Sequence, residues 1–206
     1  MTMDFTPVLT YAVPMDQFIQ DWNPAVAQLA DLTNASIDGF HAMLRDLSDT
    51  DVVFVPTDPD ARDDAAADPA DRDLAWTIAH NVVHATASGE EYAAVAAELA
   101  RGIDFHGRPR FETPWQAVTT VAQCRQRLEE SRRIRLASLQ MWPDRSDLRK
   151  GYTPCKASGW VNAQGIFAWG LVHDRGHRAQ IAKILRQVRP FHVETAAALE
   201  SASQMF

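Results

Sequence analysis

The sequence predicts an all-α protein, an up-and-down four-helix bundle with long connectors. The first observation behind this prediction is that apolar residues recur at three- and four-residue steps through four long segments, the period of a helix with one buried face. The second is that stretches rich in proline, glycine or aspartate separate these segments, while few residues alternate as in a half-buried strand. Four amphipathic helices bury their apolar faces by packing around a shared core.

The amino-terminal part of the chain is predicted to be an arm followed by a long helix. Residues 1–14 form the arm, because Pro7 and Pro14 keep this segment from being helical. The first helix follows over residues 15–47, with Pro24 in a position to interrupt it near its start.

An acidic loop precedes the second predicted helix. Residues 56–73 contain three prolines and seven aspartates, and so many like charges resist packing. A calcium loop is disfavoured, since the glycine and the terminal glutamate of an EF-hand are missing. The second helix is predicted over residues 74–101, with Gly102 just past its end, where a left-handed cap is common.

The third and fourth predicted helices are bounded by caps and prolines. The third begins at Thr113, a good amino-terminal cap, and runs to Met141, after which Pro143 closes it. The fourth covers residues 162–188 and is stopped by Pro190.

Length and composition favour one globular domain. Residues 1–206 are predicted to form this domain, in which residues 191–206 are an alanine-rich tail that can make a short final helix. The net charge of −7 disfavours binding to nucleic acid or to an anionic membrane. Because the chain lacks a secretory signal and an apolar run of about 18 residues, a cytoplasmic location is predicted.

Two pairs of histidines are the chemically most informative feature of the chain. His173 and His177 are four residues apart, as are His80 and His84, and this spacing stacks two imidazoles on one helix face. Both pairs fall on apolar faces of predicted helices, and together they take four of the seven histidines. One metal site can use three of the four and leave a position open for water or substrate. The alternative is a set of core histidines satisfied by hydrogen bonds.

Three stretches of the chain match the pattern of a known protein family. Residues 44–51 precede a proline-containing loop, and Trp76 is followed by Thr and, eight positions after the tryptophan, by His84. Residues 173–181 read His-Asp-Arg-Gly-His-Arg-Ala-Gln-Ile. The first stretch is similar to the end of the first helix, and the third to the signature His-Glu-x-x-His-Arg-x-Gln-Ile, of the DinB/YfiT-like superfamily of metal-binding four-helix bundles. The resemblance covers roughly residues 16–190.

The resemblance implies a ligand set. Carried over position by position, the three metal ligands of the family fall on His84, His173 and His177. His80 stands where relatives often carry a glutamate, which is a departure from the pattern. We expect His80 to line the site or to support a ligand rather than to be a fourth ligand.

Two further residues of the signature are candidates for lining the site. Asp174 replaces the glutamate that the family places after the first histidine, and helical geometry points it away from the ligand face. Asp174 is therefore expected to orient a neighbouring group or to pair with Arg178, four positions on. A zincin protease is disfavoured, because its HExxH motif requires a glutamate at this position.

The metal and the chemistry follow from the ligands and from the resemblance. Three imidazoles suit zinc, nickel, cobalt, manganese or iron, and an open position is typical of a catalytic site. The resemblance implies either transfer of a low-molecular-weight thiol, such as bacillithiol, mycothiol or glutathione, or metal-dependent hydrolysis. Thiol transfer is preferred, because no strong carboxylate base near the histidines can be named from the sequence. A metal- or ligand-binding stress protein without turnover is the non-enzymatic alternative.

Partners and cysteines complete the predictions. A small-molecule substrate is expected, and the resemblance implies a homodimer. The two cysteines make neither a disulfide framework nor a zinc ribbon. Cys155, beside Lys156, is read as an ordinary loop cysteine in preference to a redox residue, and Cys124 as a core residue.

Overall fold

Helices dominate the part of the chain that the structure describes. The structure is a computed structural model, which describes residues 3–63, 69–156 and 158–203, with side chains through residue 188. Its helices and strands are α1 (Thr6–Leu9), α2 (Met15–Trp22), α3 (Val26–Met43), α4 (Asp49–Val52), α5 (Ile78–Ala100), α6 (Val121–Gln140), β1 (Gly151–Tyr152), β2 (Val161–Asn162) and α7 (Ala163–Ser203). The predicted all-α class is confirmed, since the strands form only one small antiparallel ribbon.

Two apolar clusters form the core, one on each side of the middle of the long helices. The first includes Leu29, Leu99 and Phe167, and the second includes Phe40 and Val82. Side chains from α3, α5, α6 and α7 enter both clusters. Burying one such side chain contributes about 1.5–3 kcal/mol, so these clusters hold the long helices together.

A polar layer separates the two apolar clusters. On each long helix the residues between the clusters include buried polar side chains. Its members are Thr33 and Ser36 on α3, Thr86, Ser88 and Glu91 on α5, Ser131 and Arg135 on α6, and Asp174 on α7. Buried polar groups need hydrogen-bond partners, so this layer fixes how the four helices register against one another.

The order of the clusters along each helix gives the direction of that helix. The helices α3 and α7 pass from the first cluster to the second, whereas α5 and α6 pass from the second to the first. This order indicates that the consecutive helices α5 and α6 run in the same direction, and the predicted up-and-down alternation is not confirmed. Parallel neighbours need a connection that crosses the molecule, and the 20 residues between Ala100 and Val121 provide it.

The amino-terminal region differs from the predicted arm and single helix. Residues 6–9 form α1, because Pro7 lies in its first turn, where a missing N–H costs nothing. Val8 is buried in the first cluster, so this part of the arm belongs to the core. The predicted interruption at Pro24 is confirmed. Helix α2 ends at Trp22, its cap residue Asn23 is left-handed (φ 45°), and α3 begins only at Val26.

Two long helices begin later than predicted, because a better cap lies downstream. Helix α5 begins at Ile78, where the Thr77 hydroxyl accepts a hydrogen bond from the backbone N–H of His80 at 3.1 Å. Helix α6 begins at Val121, since Thr120 and Gln123 cap each other reciprocally. The segment after Thr113 instead forms a short 3-10 turn. The predicted left-handed position at Gly102 is confirmed, with φ 85°.

Helix α7 does not stop at Pro190, and that predicted end is wrong. The helix continues to Ser203, so the segment expected to be a separate tail is its last part. A proline fixes φ near the helical value, so a long helix can continue through it, although the helix loses one N–H and the ring crowds the carbonyl four residues earlier.

The acidic loop is described only in part. Residues 64–68 of the predicted 56–73 loop lie outside the described residues. The remainder is irregular apart from a 3-10 turn at Pro69–Asp71. Among the described helices, none combines the length and apolar character that a membrane span requires.

Candidate metal centre

Three histidines from two helices meet beside the polar layer. Helix α5 contributes His84, and α7 contributes His173 and His177 on successive turns. Each offers a ring nitrogen, and the three nitrogens lie within 4.8 Å of one another. The Nε2 atoms of His173 and His177 are 3.2 Å apart. Helices α5 and α7 pack against each other and run in opposite directions. This packing brings the predicted ligands of the two helices together.

Hydrogen bonds of the neighbouring amides define the tautomer of His177. The Nδ1 atom of His177 lies 3.0 Å from Oδ1 of Asn81 and 3.2 Å from Oε1 of Gln180. The Asn81 amide is oriented by its NH2 group, which donates to the Thr77 carbonyl at 2.9 Å. Because the atoms facing Nδ1 are acceptors, Nδ1 carries the proton, and Nε2 presents a lone pair toward His173.

The donor set fits a divalent transition metal. Nδ1 of His173 is buried and has no hydrogen-bond partner among the described residues. When His173 is also protonated on Nδ1, two Nε2 lone pairs face each other across 3.2 Å, and a cation between them would remove the repulsion. Neutral imidazoles of this kind suit zinc, nickel, iron and related metals.

Burial keeps two of the imidazoles uncharged. It lowers the pKa of His177 to about 3, with a further contribution from the charge of His84. Burial, followed by the charge of His177, also moves the pKa of His173 well below its ordinary value. Metal ions bind the deprotonated imidazole, so no proton has to be displaced from either ring at neutral pH.

The third histidine is supported by a charged pair from the loop before α6. Nδ1 of His84 lies 3.5 Å from a carboxylate oxygen of Glu112 and 3.2 Å from Nη2 of Arg110. Arg110 also bonds to Glu112 and donates to the Ser88 hydroxyl at 2.8 Å. Burial pushes the pKa of Glu112 upward, but the hydrogen bonds and charges of His84 and Arg110 outweigh it and hold the pKa at about 2.

His80 lies beside the cluster without joining it. Its ring is stacked between Trp76, at 4.3 Å between centroids, and Trp115, at 4.8 Å. The Trp76 ring also lies 4.6 Å from that of His84 and 5.6 Å from that of His177. Burial, together with the charge of His84, lowers the pKa of His80 to about 4. His80 and Trp76 therefore both form part of the cavity wall, and the Trp76 ring covers His84 and His177.

A cavity of about 810 Å³ opens onto the three histidines. Its lining includes the aromatic residues Trp76, Tyr92 and Trp115. The lining also includes charged residues from the loops, which are Asp58, Asp60, Asp63, Asp71, Arg62, Arg108, Arg110 and Glu112. Such a space admits a small molecule to the nitrogens of the cluster.

The charged residues of the loop before α6 were not predicted from the sequence to lie at the histidines. Arg108, Arg110 and Glu112 alternate along this loop and line the cavity, while Phe111 between them is 81% exposed. Arg108 also pairs with the buried Glu91. Alternation of charged and other residues over a segment without a helical period indicates an extended strand-like stretch with one charged side, and that signal was present in the sequence.

Asp174 is absent from the lining of the histidine cavity, and of its two expected roles, to orient a neighbouring group or to pair with Arg178, the contacts fit the first. Its buried carboxylate accepts hydrogen bonds from Nη1 of Arg135 and from the Ser36 hydroxyl, each at 2.8 Å. Asp174 therefore ties α7 to α3 and α6 within the polar layer. Arg178, the predicted partner, makes no ion pair with it and borders a different cavity.

The two cysteines lie away from the histidines. Cys124 is buried in the second apolar cluster, and burial raises the pKa of its thiol to about 12. Cys155 is exposed, and neither residue is in a disulfide. The prediction that Cys124 packs in the core is confirmed, and neither cysteine borders the histidine cavity.

The fold and the site define a helical protein with a three-histidine group that could hold a metal ion. A family model described as the DinB superfamily matches residues 60–181, and the chain belongs to that superfamily. The matched segment contains all three histidines of the cluster, Trp76 and the charged loop before α6. No curated protein matches the chain, and no solved structure does.

Proposed function

We propose that the protein binds a divalent transition metal through His84, His173 and His177 and transfers a low-molecular-weight thiol to an electrophilic substrate. The observation that carries this proposal is the convergence of three ring nitrogens within 4.8 Å on the wall of an open cavity of about 810 Å³. Membership of the DinB superfamily supports it.

We also propose that α3, α5, α6 and α7 form a four-helix bundle in which the helices run up, down, down and up.

The metal would be catalytic rather than structural. Three protein ligands leave at least one position for an exogenous group, and the cavity gives a small molecule access to it. The two apolar clusters join the same helices without the histidines, so the fold does not depend on a metal. Zinc, nickel, manganese and iron all accept imidazole ligands, and the identity of the metal is a matter for elemental analysis.

The surroundings of the histidines favour a thiol over water as the nucleophile. A metal bound there would lower the pKa of a thiol and hold the thiolate against an electrophile. Hydrolysis requires a base that activates water, and Glu112, with a pKa of about 2, is a weak one. Burial raises the pKa of Tyr92, so this phenol stays protonated and can donate a hydrogen bond but not accept a proton.

The residues around the cluster would divide the remaining tasks. The Glu112 carboxylate, 3.5 Å from Nδ1 of His84, would accept the proton of that nitrogen if Nε2 held the metal, the arrangement that orients many metal-bound histidines. Arg110 keeps Glu112 in place and ionised. Trp76 and Trp115 shield the imidazoles from water and offer an apolar surface to the electrophile.

The proposal is tested by metal analysis and by a conjugation assay on the same protein. Tag-free protein is expected to contain about one transition metal per chain, and His84→Ala and His173→Ala are expected to lose it while remaining helical. The metal-loaded protein is then expected to conjugate 1-chloro-2,4-dinitrobenzene to glutathione, mycothiol or bacillithiol. His106→Ala is the matched control, because His106 is exposed and outside the cluster.

The outcome of these assays separates the alternatives. Turnover of ester or amide substrates without any thiol would replace thiol transfer by metal-dependent hydrolysis. Metal binding without turnover in either assay would leave a metal- or ligand-binding protein. Failure to take up zinc, nickel, manganese or iron would overturn the proposal as a whole. The homodimer and the cytoplasmic location stay predictions.

A further inference from the structure

A second cavity lies on the other side of α7 from the histidines. It has a volume of about 380 Å³. At about 100° per residue, Arg175 lies on nearly the opposite face of the helix from His173 and His177, and Arg178 is turned roughly 100–140° away from them. The residues that line this cavity include Asp4 and Phe5 before and next to α1, Leu32 and Ser36 on α3, and Leu171, Arg175 and Arg178 on α7.

Arg178 carries a charge in this cavity that no described residue pairs. Its Nε atom is buried without a hydrogen-bond partner among the described residues. The charged groups around it are already engaged. Asp174 is bound by Arg135, and Asp4 is bound by Arg175 at 3.2 Å. Three arginines thus face two aspartates, which leaves one positive charge.

The fold makes room for the Arg178 guanidinium at a cost in helix stability. Gly39 lies in the interior of α3, where glycine is about 1 kcal/mol less favourable than alanine. A Cβ atom at this position would collide with Nη1 of Arg178. The guanidinium also lies over the Phe40 ring, with Cζ 5.9 Å from the centroid. The arginine is therefore held in place by its surroundings rather than left free in solvent.

We propose that this cavity binds a small organic carboxylate with an apolar chain, separately from the histidine site. The carboxylate would accept hydrogen bonds from Arg178, which is the residue with an unmatched charge. The apolar chain would lie against Phe5, Leu32 and Leu171, all of which are buried side chains on the cavity wall. A neutral or cationic ligand of the same shape would leave the arginine unpaired, so the site selects for the anion.

Isothermal titration of the metal-loaded protein with octanoate tests the proposal, with octan-1-ol and octylamine as neutral and cationic controls. Octanoate is expected to bind, and the two controls at least about ten-fold more weakly, since a hydrogen bond to a charged group has that magnitude. Arg178→Gln is expected to reduce octanoate affinity about ten-fold or more. Gly39→Ala should weaken it as well, because the guanidinium has to move. Arg186→Gln, an exposed change on the same helix, should have no effect.

A metal at the histidines could itself attract a carboxylate, so the His84→Ala variant is titrated in parallel. Binding that persists in His84→Ala and falls in Arg178→Gln supports the cavity. Binding lost in His84→Ala but kept in Arg178→Gln, equal binding of octan-1-ol, or no binding of octanoate at all overturns the proposal. Circular dichroism of each variant establishes that it is folded, and Arg178→Lys repeats the comparison with the charge kept.

Discussion

At the scale of single residues, the properties of the histidine cluster depend on the amides and charged groups that contact it. Asn81 is fully buried, and it links the Thr77 carbonyl at the start of α5 to Nδ1 of His177 on α7. Nδ1 of His84 has two charged neighbours, Glu112 at 3.5 Å and Arg110 at 3.2 Å. These contacts decide which nitrogen each ring presents, so the neighbours of the ligands are part of the site.

Replacing Asn81 by alanine is expected to weaken metal binding about 10- to 100-fold, the range seen when the partner of a ligand histidine is removed. The physical reason is that His177 would lose an acceptor that fixes the proton on Nδ1. A competition titration with a chromogenic chelator measures the affinity. Asn81→Asp keeps an acceptor oxygen at this position and should retain more affinity than Asn81→Ala. Equal affinity of Asn81→Ala and the wild type would show that the contact is irrelevant to metal binding.

Native protein is expected to react with one equivalent of a thiol reagent at pH 8, and unfolded protein with two. Cys155 is exposed, whereas burial raises the pKa of Cys124 to about 12, so Cys124 has almost no thiolate at this pH. Titration with Ellman's reagent in buffer and in guanidinium chloride gives both counts. Cys155→Ser should abolish the native reaction, and a native reaction that survives this change would contradict the assignment.

At the scale of the elements, the polar layer determines how the helices fit together. The buried pair of Arg135 and Asp174 joins α6 to α7, and Ser36 adds α3. A buried ion pair is costly to break, because the remaining partner is left uncompensated. Gly89 on α5 lies where this layer brings a side chain, that of Arg135, close to a neighbouring backbone.

Two glycine-to-alanine changes are expected to affect stability in opposite directions. Gly176→Ala on α7 should raise the free energy of unfolding by about 0.5–1 kcal/mol, because alanine favours the helix and the added Cβ meets nothing within 4 Å. Gly89→Ala on α5 should lower it, since the added Cβ would lie 2.9 Å from Nη1 of Arg135 and displace the partner of Asp174. Urea unfolding measures both. A stabilised Gly89→Ala protein would mean that Arg135 moves without disturbing the pair.

At the scale of the whole molecule, two apolar clusters hold the helices, and the histidine cluster lies beside the polar layer between them. The histidines lie on one side of α7 and the Arg178 cavity on the other. Both sites lie where polar residues interrupt the apolar stripe of α7. The parallel course of α5 and α6 makes the loop between them cross the molecule, and this crossing carries Arg108, Arg110 and Glu112 to the histidines.

Removal of the metal by a chelator is expected to lower the melting temperature and to leave the far-ultraviolet circular dichroism of the folded protein nearly unchanged. The clusters remain intact without the ion, but a ligand that binds only the folded state adds stability, about 2.7 kcal/mol at 100 times its Kd. Scans at several metal concentrations should show this dependence. Collapse of the helical signal at 25 °C on chelation would instead identify a structural metal.

The sequence by itself determined the helical class, the two histidine pairs on apolar helix faces and the burial of Cys124. These features follow from local signals, because helix period and four-residue spacing act between residues close in the chain, whereas the choice of His84 over His80 came from the family resemblance. Even the errors at Thr113 and at the start of α5 were local, since a stronger cap lay a few residues downstream.

Only the tertiary structure decided which groups surround the histidines and in which direction the helices run. Asp174 pairs with Arg135 rather than with its helical neighbour Arg178, and Glu112 reaches His84 from a distant loop. Such contacts depend on how separate helices pack, and many packings satisfy the same apolar stripes. The burial of particular polar groups selects among them, because each buried charge or amide requires a partner that only one arrangement supplies.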